Sequence, residues 1–167
     1  MAQLQHVHSF FDLEGIDIYG NVYPFYQLKN KVTVIVNVAS FCGFTESAYK
    51  GLVELWSTVD HDQVHILAFP CDQFGNQEPG TSEEIAAFAK TKGVTFTMMQ
   101  KIHVNGPDTS PIYLYLKSKA DLPVIAWNFG TYFLISPDGS TVAEYTGVAP
   151  YQLKPFIYEM MLGTEEL

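Results

Sequence analysis

The stretch Val32 to Thr45, VTVIVNVASFCGFT, constrains this chain more than any other. Its apolar run from Val32 to Val38 is continuous rather than alternating, the pattern of a strand buried on both faces, as in a parallel or mixed central sheet. Such a sheet needs helices packed on its faces, which makes the fold class α/β. A small-residue turn follows, then Cys42. From Thr45 to Val59 the pattern is helical, with Leu52, Leu55, Trp56 and Val59 on one face. A cysteine where a buried strand hands over to a helix lies near the positive end of the helix dipole, where the thiolate is favoured and acts as a nucleophile. Free cysteines are also common as inert core packing, so the rest of the chain has to separate the two readings.

The remaining elements supply the layers. Phe10 to Phe25 holds short alternating pieces around Gly20-Asn21, a hairpin signal. Val64 to Phe69 is a second buried strand, and Pro70 ends its regular pairing. Gln73 to Gly80, QFGNQEPG, is a loop by composition. Thr81 to Glu84 is a capping box that opens a helix running to about Thr91. Thr95 to Ile102 reads as extended, Asn105 to Asp108 as a turn, and Pro111 to Ser118 as a helix with proline in its first turn. Trp127 to Ile135 and Thr141 to Tyr145 read as strands joined through Pro137-Asp138-Gly139, and Tyr151 to Leu162 as a closing amphipathic helix. No repeat or linker interrupts this order, so residues 1–167 are expected to form one domain.

Composition removes whole classes of function. The net charge is -9, and the basic residues are all lysine, with no arginine. That argues against nucleic acid, where arginine and lysine on phosphates supply most of the affinity, and against attraction to anionic headgroups. No stretch is long and apolar enough to span a bilayer. Two cysteines are not a disulfide framework. The opening MAQLQHVHSFF lacks the basic region and apolar core of a signal peptide, so the cytoplasm is the expected compartment. The final Thr-Glu-Glu-Leu faintly resembles an endoplasmic-reticulum retention signal but lacks its usual aspartate and basic residue, so that lumen is only a minor alternative. His61 and His65 have the spacing of metal ligands on a helix. Because Asp60 to Gln63 reads as a turn before a strand, they are taken as surface residues, and no metal site is expected. His6 and His8 are expected to be solvated.

The chemistry centres on Cys42. In Cys42-Gly43-Phe44-Thr45 the fourth position, where a dithiol exchanger carries its second cysteine, is threonine. Without a resolving thiol there, Cys42 suits attack on a peroxide O–O bond, which gives a sulfenic acid. Gln77, in the tight FGNQEPG loop, and Trp127-Asn128, opening a later strand, offer neutral donors that can stabilise a thiolate and a departing alkoxide without trapping them. Each also has a structural reading: Gln77 as a satisfied loop residue, Trp127 as core.

NVASFCGFT, ILAFPCDQFGNQEPG and WNF resemble the three signature segments of the glutathione peroxidase family, and the resemblance runs from the Phe10 hairpin to the last helix. It implies a thioredoxin-like fold, a central mixed β-sheet flanked by helices with an N-terminal β-hairpin. It implies a cofactor-free peroxidase in which Cys42 is the peroxidatic residue, at the position that selenium-containing members fill with selenocysteine. Gln77, Trp127 and Asn128 would complete the catalytic tetrad. The chain departs from the family in carrying Phe41 where relatives usually have a polar or charged residue, and in WNFGTYFLI, which lacks the usual basic residue after WNF. The long insertion of the tetrameric members is missing, which resembles the monomeric phospholipid-hydroperoxide type. Thioredoxin-dependent members carry a resolving cysteine in the helix after QEPG. Here that helix reads SEEIAAFAKTKG, with Lys90 near the expected place. Cys71 is the only other thiol. It reads first as buried packing, with a resolving role as the lesser alternative.

The expected function is therefore reduction of hydrogen peroxide and organic or lipid hydroperoxides to water and alcohols through a Cys42 sulfenic acid, as part of the response to oxidative stress. Glutathione or a thioredoxin-like protein would serve as reductant. The rival is a non-catalytic redox sensor on the same fold that passes oxidation to a partner protein. A dithiol exchanger is a third reading, and Thr45 speaks against it.

Overall fold

The structure is a computed structural model and describes residues 4–163. In chain order its strands and α-helices are β1 (Glu14–Ile16), β2 (Val22–Pro24), β3 (Val32–Val38), α1 (Thr45–Thr58), β4 (Val64–Pro70), α2 (Ser82–Thr91), β5 (Thr97–Met98), α3 (Pro111–Lys119), β6 (Thr131–Ile135), β7 (Val142–Thr146) and α4 (Lys154–Leu162). β1 and β2 form the separate N-terminal hairpin, and the other strands form a five-stranded sheet in the order β5-β4-β3-β6-β7. β3 is the middle strand. It pairs parallel with β4, from Val32↔Val64 to Val38↔Pro70, and antiparallel with β6. The sheet is thus mixed, as expected.

Every residue of β3 is buried, because both faces are covered. Val32, Val34, Val36 and Val38 point into a layer that includes Tyr49 and Leu52 of α1, Ile85 of α2 and Ile157 of α4. Ile35 points into the opposite layer, with Leu67 and Phe69 of β4 and Ile112, Tyr113 and Leu116 of α3. A period of two along the strand therefore feeds two cores, each burying apolar area that stabilises by roughly 25 cal/mol per Å². Thr81 caps α2 by accepting from the Glu84 N–H at 3.2 Å, and Ser110 caps α3 with Pro111 at its start. α1 ends at Thr58, with Val59 as its C-cap, and buries Leu52, Leu55 and Trp56 as expected.

Several segments differ from the sequence reading. The hairpin connection is a loop from Asp17 to Asn21 rather than a two-residue Gly20-Asn21 turn. The Asp17 carboxylate accepts from the Tyr19 and Asn21 N–H groups, both at 2.9 Å, and Gly20 takes the left-handed conformation. β5 is only Thr97–Met98, because the hairpin takes over the pairing beyond it: Gln100 N–H donates to the Ile16 carbonyl. The last helix begins as a 3-10 turn, Pro150–Leu153, before α4.

Trp127 and Asn128 do not open a strand. They lie in a turn before β6, because Asn37 of β3 fastens it: its Nδ2 donates to the Trp127 carbonyl at 3.3 Å and its carbonyl accepts from the Phe129 N–H at 2.9 Å. His65 is not a surface residue either. It is half-buried on β4, its Nε2 lies 2.9 Å from Thr97 Oγ1, and its ring packs between Tyr23 and Trp56. Burial lowers its pKa to about 4, and the positive charges of Lys31 and His61 add to the shift. His61 is exposed but stacked on Trp56, with ring centroids 3.6 Å apart. His6 and His8 are exposed. The terminal Thr164 to Leu167 lie outside the described residues.

Candidate active site

The site is built at the end of β3, where the chain leaves the sheet and turns into α1. The turn from Ser40 to Cys42 is held by hydrogen bonds on three successive N–H groups. Ser40 N–H donates to Glu78 Oε1 at 3.1 Å, Phe41 N–H to the Gln77 carbonyl at 3.0 Å, and Cys42 N–H to Thr45 Oγ1 at 3.0 Å. Thr45 in turn donates its hydroxyl to the Ala39 carbonyl at 2.7 Å. The threonine in the fourth position of Cys-x-x-Thr is thus a clamp on the cysteine turn.

Cys42 is 8% exposed, and its Sγ accepts from the Phe44 N–H at 3.4 Å. Phe44 is the N-cap of α1, so the sulfur sits at the helix N-terminus, where backbone donors and the dipole favour negative charge. Two aromatic side chains flank the turn in solvent, Phe41 at 68% and Phe44 at 60% exposed.

The loop after β4 brings Gln77 to this turn. Its carbonyl takes the Phe41 N–H, and its side-chain Oε1 accepts from Asn128 Nδ2 at 3.0 Å. Asn128 is buried and Trp127 is 38% exposed, its ring 5.6 Å from that of Phe74. Trp127 is therefore a partly open residue of the rim, not core. The structure brings Gln77 and Asn128 into direct contact, carries Trp127 on the same turn as Asn128, and ties Gln77 to the residue next to Cys42.

Both polar loops contain residues in the left-handed region. Asn76 (φ 51) precedes Gln77, and Phe129 (φ 56) follows Asn128. For a phenylalanine this conformation is costly, and such residues cluster at functional sites. Gly75 (φ +65) lies under Gln77: a Cβ there would sit 3.3 Å from Gln77 Cδ and Nε2.

A groove of about 340 Å³ opens beside the cysteine turn, lined by Phe44, Ser47, Trp127, Asn128, Val148 and Pro150 among others. None of its lining residues is charged. No helix among the described residues is long and apolar enough to cross a membrane, and no cluster of metal-binding side chains occurs among them.

Cys71 is fully buried, and its side chain belongs to the layer beneath α3 with Leu67 and Phe69, whereas Cys42 belongs to the α1 layer. Burial pushes the Cys71 thiol above its ordinary value. Its S–H donates to Gln73 Oε1 at 3.5 Å.

Asn37, Thr45 and Glu78 hold the site together, and no role for them was evident from the sequence. Asn37 has a signal there: a lone amide inside VTVIVNV must find a partner when buried. Glu78 has none, because an acidic residue in a polar loop reads as solvated.

The glutathione peroxidase family model matches residues 10–117. A glutathione peroxidase-like peroxiredoxin of Schizosaccharomyces pombe is 46% identical over 144 residues, covering 84% of this chain and 90% of the relative. Glutathione peroxidase-like peroxiredoxin 2 of Saccharomyces cerevisiae is 48% identical, covering 84% and 88%. Among solved structures, Trgpx in apo form superimposes with a TM-score of 0.75 at 34% identity, over 93% of this chain and 96% of that one. A thioredoxin family protein from Chlorobium tepidum, 14% identical with a TM-score of 0.68 over 89% and 92% of the two chains, shares the fold. The fold is thioredoxin-like, and the chain belongs to the glutathione peroxidase family.

Proposed function

We propose that Cys42 is the peroxidatic residue of a thiol-dependent peroxidase that reduces hydrogen peroxide and organic or lipid hydroperoxides, with Gln77, Trp127 and Asn128 as the groups that stabilise the reacting charges. The Cys42 thiolate attacks the terminal peroxide oxygen. The S–O bond forms as the O–O bond breaks, and the electron pair leaves on an alkoxide, or on hydroxide when the substrate is hydrogen peroxide. That oxygen takes up a proton, giving alcohol or water and Cys42 sulfenic acid. An external thiol then displaces water from the sulfur to give a mixed disulfide, and a second thiol releases Cys42.

The observation that carries this reading is the Cys42 sulfur at the N-terminus of α1, on a turn bonded through Phe41 to Gln77, whose side chain bonds Asn128. The amides and the Trp127 indole are neutral donors that act on developing charge without holding a counter-ion. The chain is read as one domain over residues 1–167, acting as a monomer in the cytoplasm as part of the oxidative stress response, with the endoplasmic reticulum lumen as the lesser alternative. Cys71, buried in the opposite layer, is read as a packing residue and not as the resolving thiol.

Steady-state peroxide consumption, with glutathione and thioredoxin offered separately, tests the reading against a redox sensor. An enzyme cycles many times per chain with at least one of them. A single equivalent of peroxide consumed, followed by arrest with both reductants, would make the protein a sensor.

A further inference from the structure

Glu78 adjoins Gln77, yet its side chain serves the other side of the site. It is 0% exposed. Its Oε1 accepts from both the N–H and the hydroxyl of Ser40, at 3.1 and 2.6 Å, while its own N–H donates to Asp72 Oδ1 at 2.8 Å. The second carboxylate oxygen, Oε2, is buried with no hydrogen-bond partner.

The surroundings do not favour a charge. Burial pushes the Glu78 carboxyl above the ordinary carboxylate range; the Ser40 bonds and Lys101 pull it down, and the Asp72 carboxylate pushes it up. Lys101 donates its Nζ to the Gly80 carbonyl rather than pairing with Glu78. From α1, the buried Tyr49 hydroxyl faces this field without a partner, and Cys71 feels it from just beyond the end of β4. A site that needed only shape and an acceptor could be filled by a neutral amide.

We propose that Glu78 is a positioning residue for the peroxide step: its buried carboxylate grips Ser40 and so holds the turn that carries Cys42 against the loop that carries Gln77. This rests on Cys42 being the peroxidatic residue. Two consecutive residues then fix the site, Gln77 through Phe41 and Asn128, Glu78 through Ser40. The raised carboxyl also means that the folded chain binds this proton more tightly than the unfolded chain. Stability from this group is therefore greatest below the unfolded carboxyl range and is lost as pH rises through the folded value.

Glu78→Gln keeps the shape and removes the charge. The rate of Cys42 oxidation by hydrogen peroxide, measured by stopped flow from acid pH to the alkaline plateau, is expected to fall about tenfold or more on the plateau itself, since small misplacements of reacting groups cost rates of that order. The midpoint for thermal unfolding near pH 7 is expected to be no lower than in the wild type. Ser40→Ala is expected to slow the same step, and the double variant to be no slower than the slower single one. A plateau within twofold of the wild type, a rate loss that only parallels a fall in thermal stability, or additive effects of the two substitutions would overturn the positioning role. Wild-type protein that takes up no oxygen at Cys42 would overturn the peroxidase reading and this inference with it. Normal wild-type oxidation with an unaffected Glu78→Gln would overturn this inference alone.

Discussion

Cys42 and Cys71 pack in different cores, one with the residues beneath α1 and the other with those beneath α3. A disulfide needs the two Cβ atoms within about 4 Å of each other. With each side chain packed in its own core, that bond would require the Cys42 turn or the segment after β4 to rearrange. Cys71 is also fully buried, and its thiol is held in the protonated, unreactive form by burial. Cys71→Ser is therefore expected to leave peroxide turnover within about twofold of the wild type, a margin consistent with a buried small-residue swap. Non-reducing peptide maps after peroxide should contain no Cys42–Cys71 pair. Complete loss of turnover in this variant would make Cys71 the resolving thiol.

The Gln77–Asn128 bond predicts linked effects. Removing one charge-stabilising donor typically costs on the order of a hundredfold in rate. Gln77→Ala and Asn128→Ala are each expected to slow Cys42 oxidation on that scale, and the double variant to fall well short of the product of the two. Rates within twofold of wild type for both would make the amides structural.

Gly75→Ala tests how the loop holds Gln77. The left-handed backbone there costs a non-glycine residue about 1–2 kcal/mol, and the added Cβ would meet the Gln77 amide at 3.3 Å. The expected result is a modest loss of stability with a disproportionate loss of peroxide reactivity. Unchanged reactivity in a destabilised protein would show that Gln77 need not be fixed.

His65 gives the fold an acid-side pH dependence. Its pKa is lowered from 6.5 to about 4. The unfolded chain therefore binds this proton more readily, and the stability from neutral His65 is present above pH 6.5 and lost as pH falls towards 4. The loss is on the order of 3 kcal/mol. Glu78 acts with the opposite sign, so the two are separated by comparing His65→Gln with wild type in urea titrations across this range. The variant should show a flatter dependence, and an equally steep one would assign the acid sensitivity elsewhere.

The groove lined by Phe44, Trp127 and Asn128 bears on the reductant. Glutathione carries a net negative charge, and its recognition calls for arginine or well-placed lysine. The groove has no charged lining residue, and the chain has no arginine and a net charge of -9. Glutathione is expected to support slow, essentially unsaturable turnover that improves with ionic strength, because salt screens the repulsion. Saturation at low micromolar glutathione, insensitive to salt, would reveal a specific lysine site.

Much of this was legible in the sequence because local pattern and tertiary role agree. The run Val32 to Val38 is apolar at both parities because both faces of β3 are covered, and Thr81 and Pro111 mark helix starts by chemistry that needs no tertiary context. The turn at Trp127 has the pattern of a strand because the apolar character of the following residues runs back into it. What breaks the strand is Asn37, ninety positions away, gripping the Trp127 carbonyl. Glu78 was invisible for a related reason. Only the folded chain brings Ser40 over it, and a carboxylate that is buried by a loop reads the same as one in water. His65 likewise becomes buried only when Tyr23, Trp56 and Thr97 converge on it.

The central claim is that Cys42 is the atom that meets the peroxide. Its most direct test is mass spectrometry of the protein after one equivalent of hydrogen peroxide, with a sulfenic-acid trap present, in wild type and Cys42→Ser. The expected result is trap adduct at Cys42 in the wild type and no adduct or peroxide reduction in the serine variant, since an alcohol is not ionised near neutrality. Adduct forming first at Cys71, with the Cys42→Ser protein still reducing peroxide, would contradict the account.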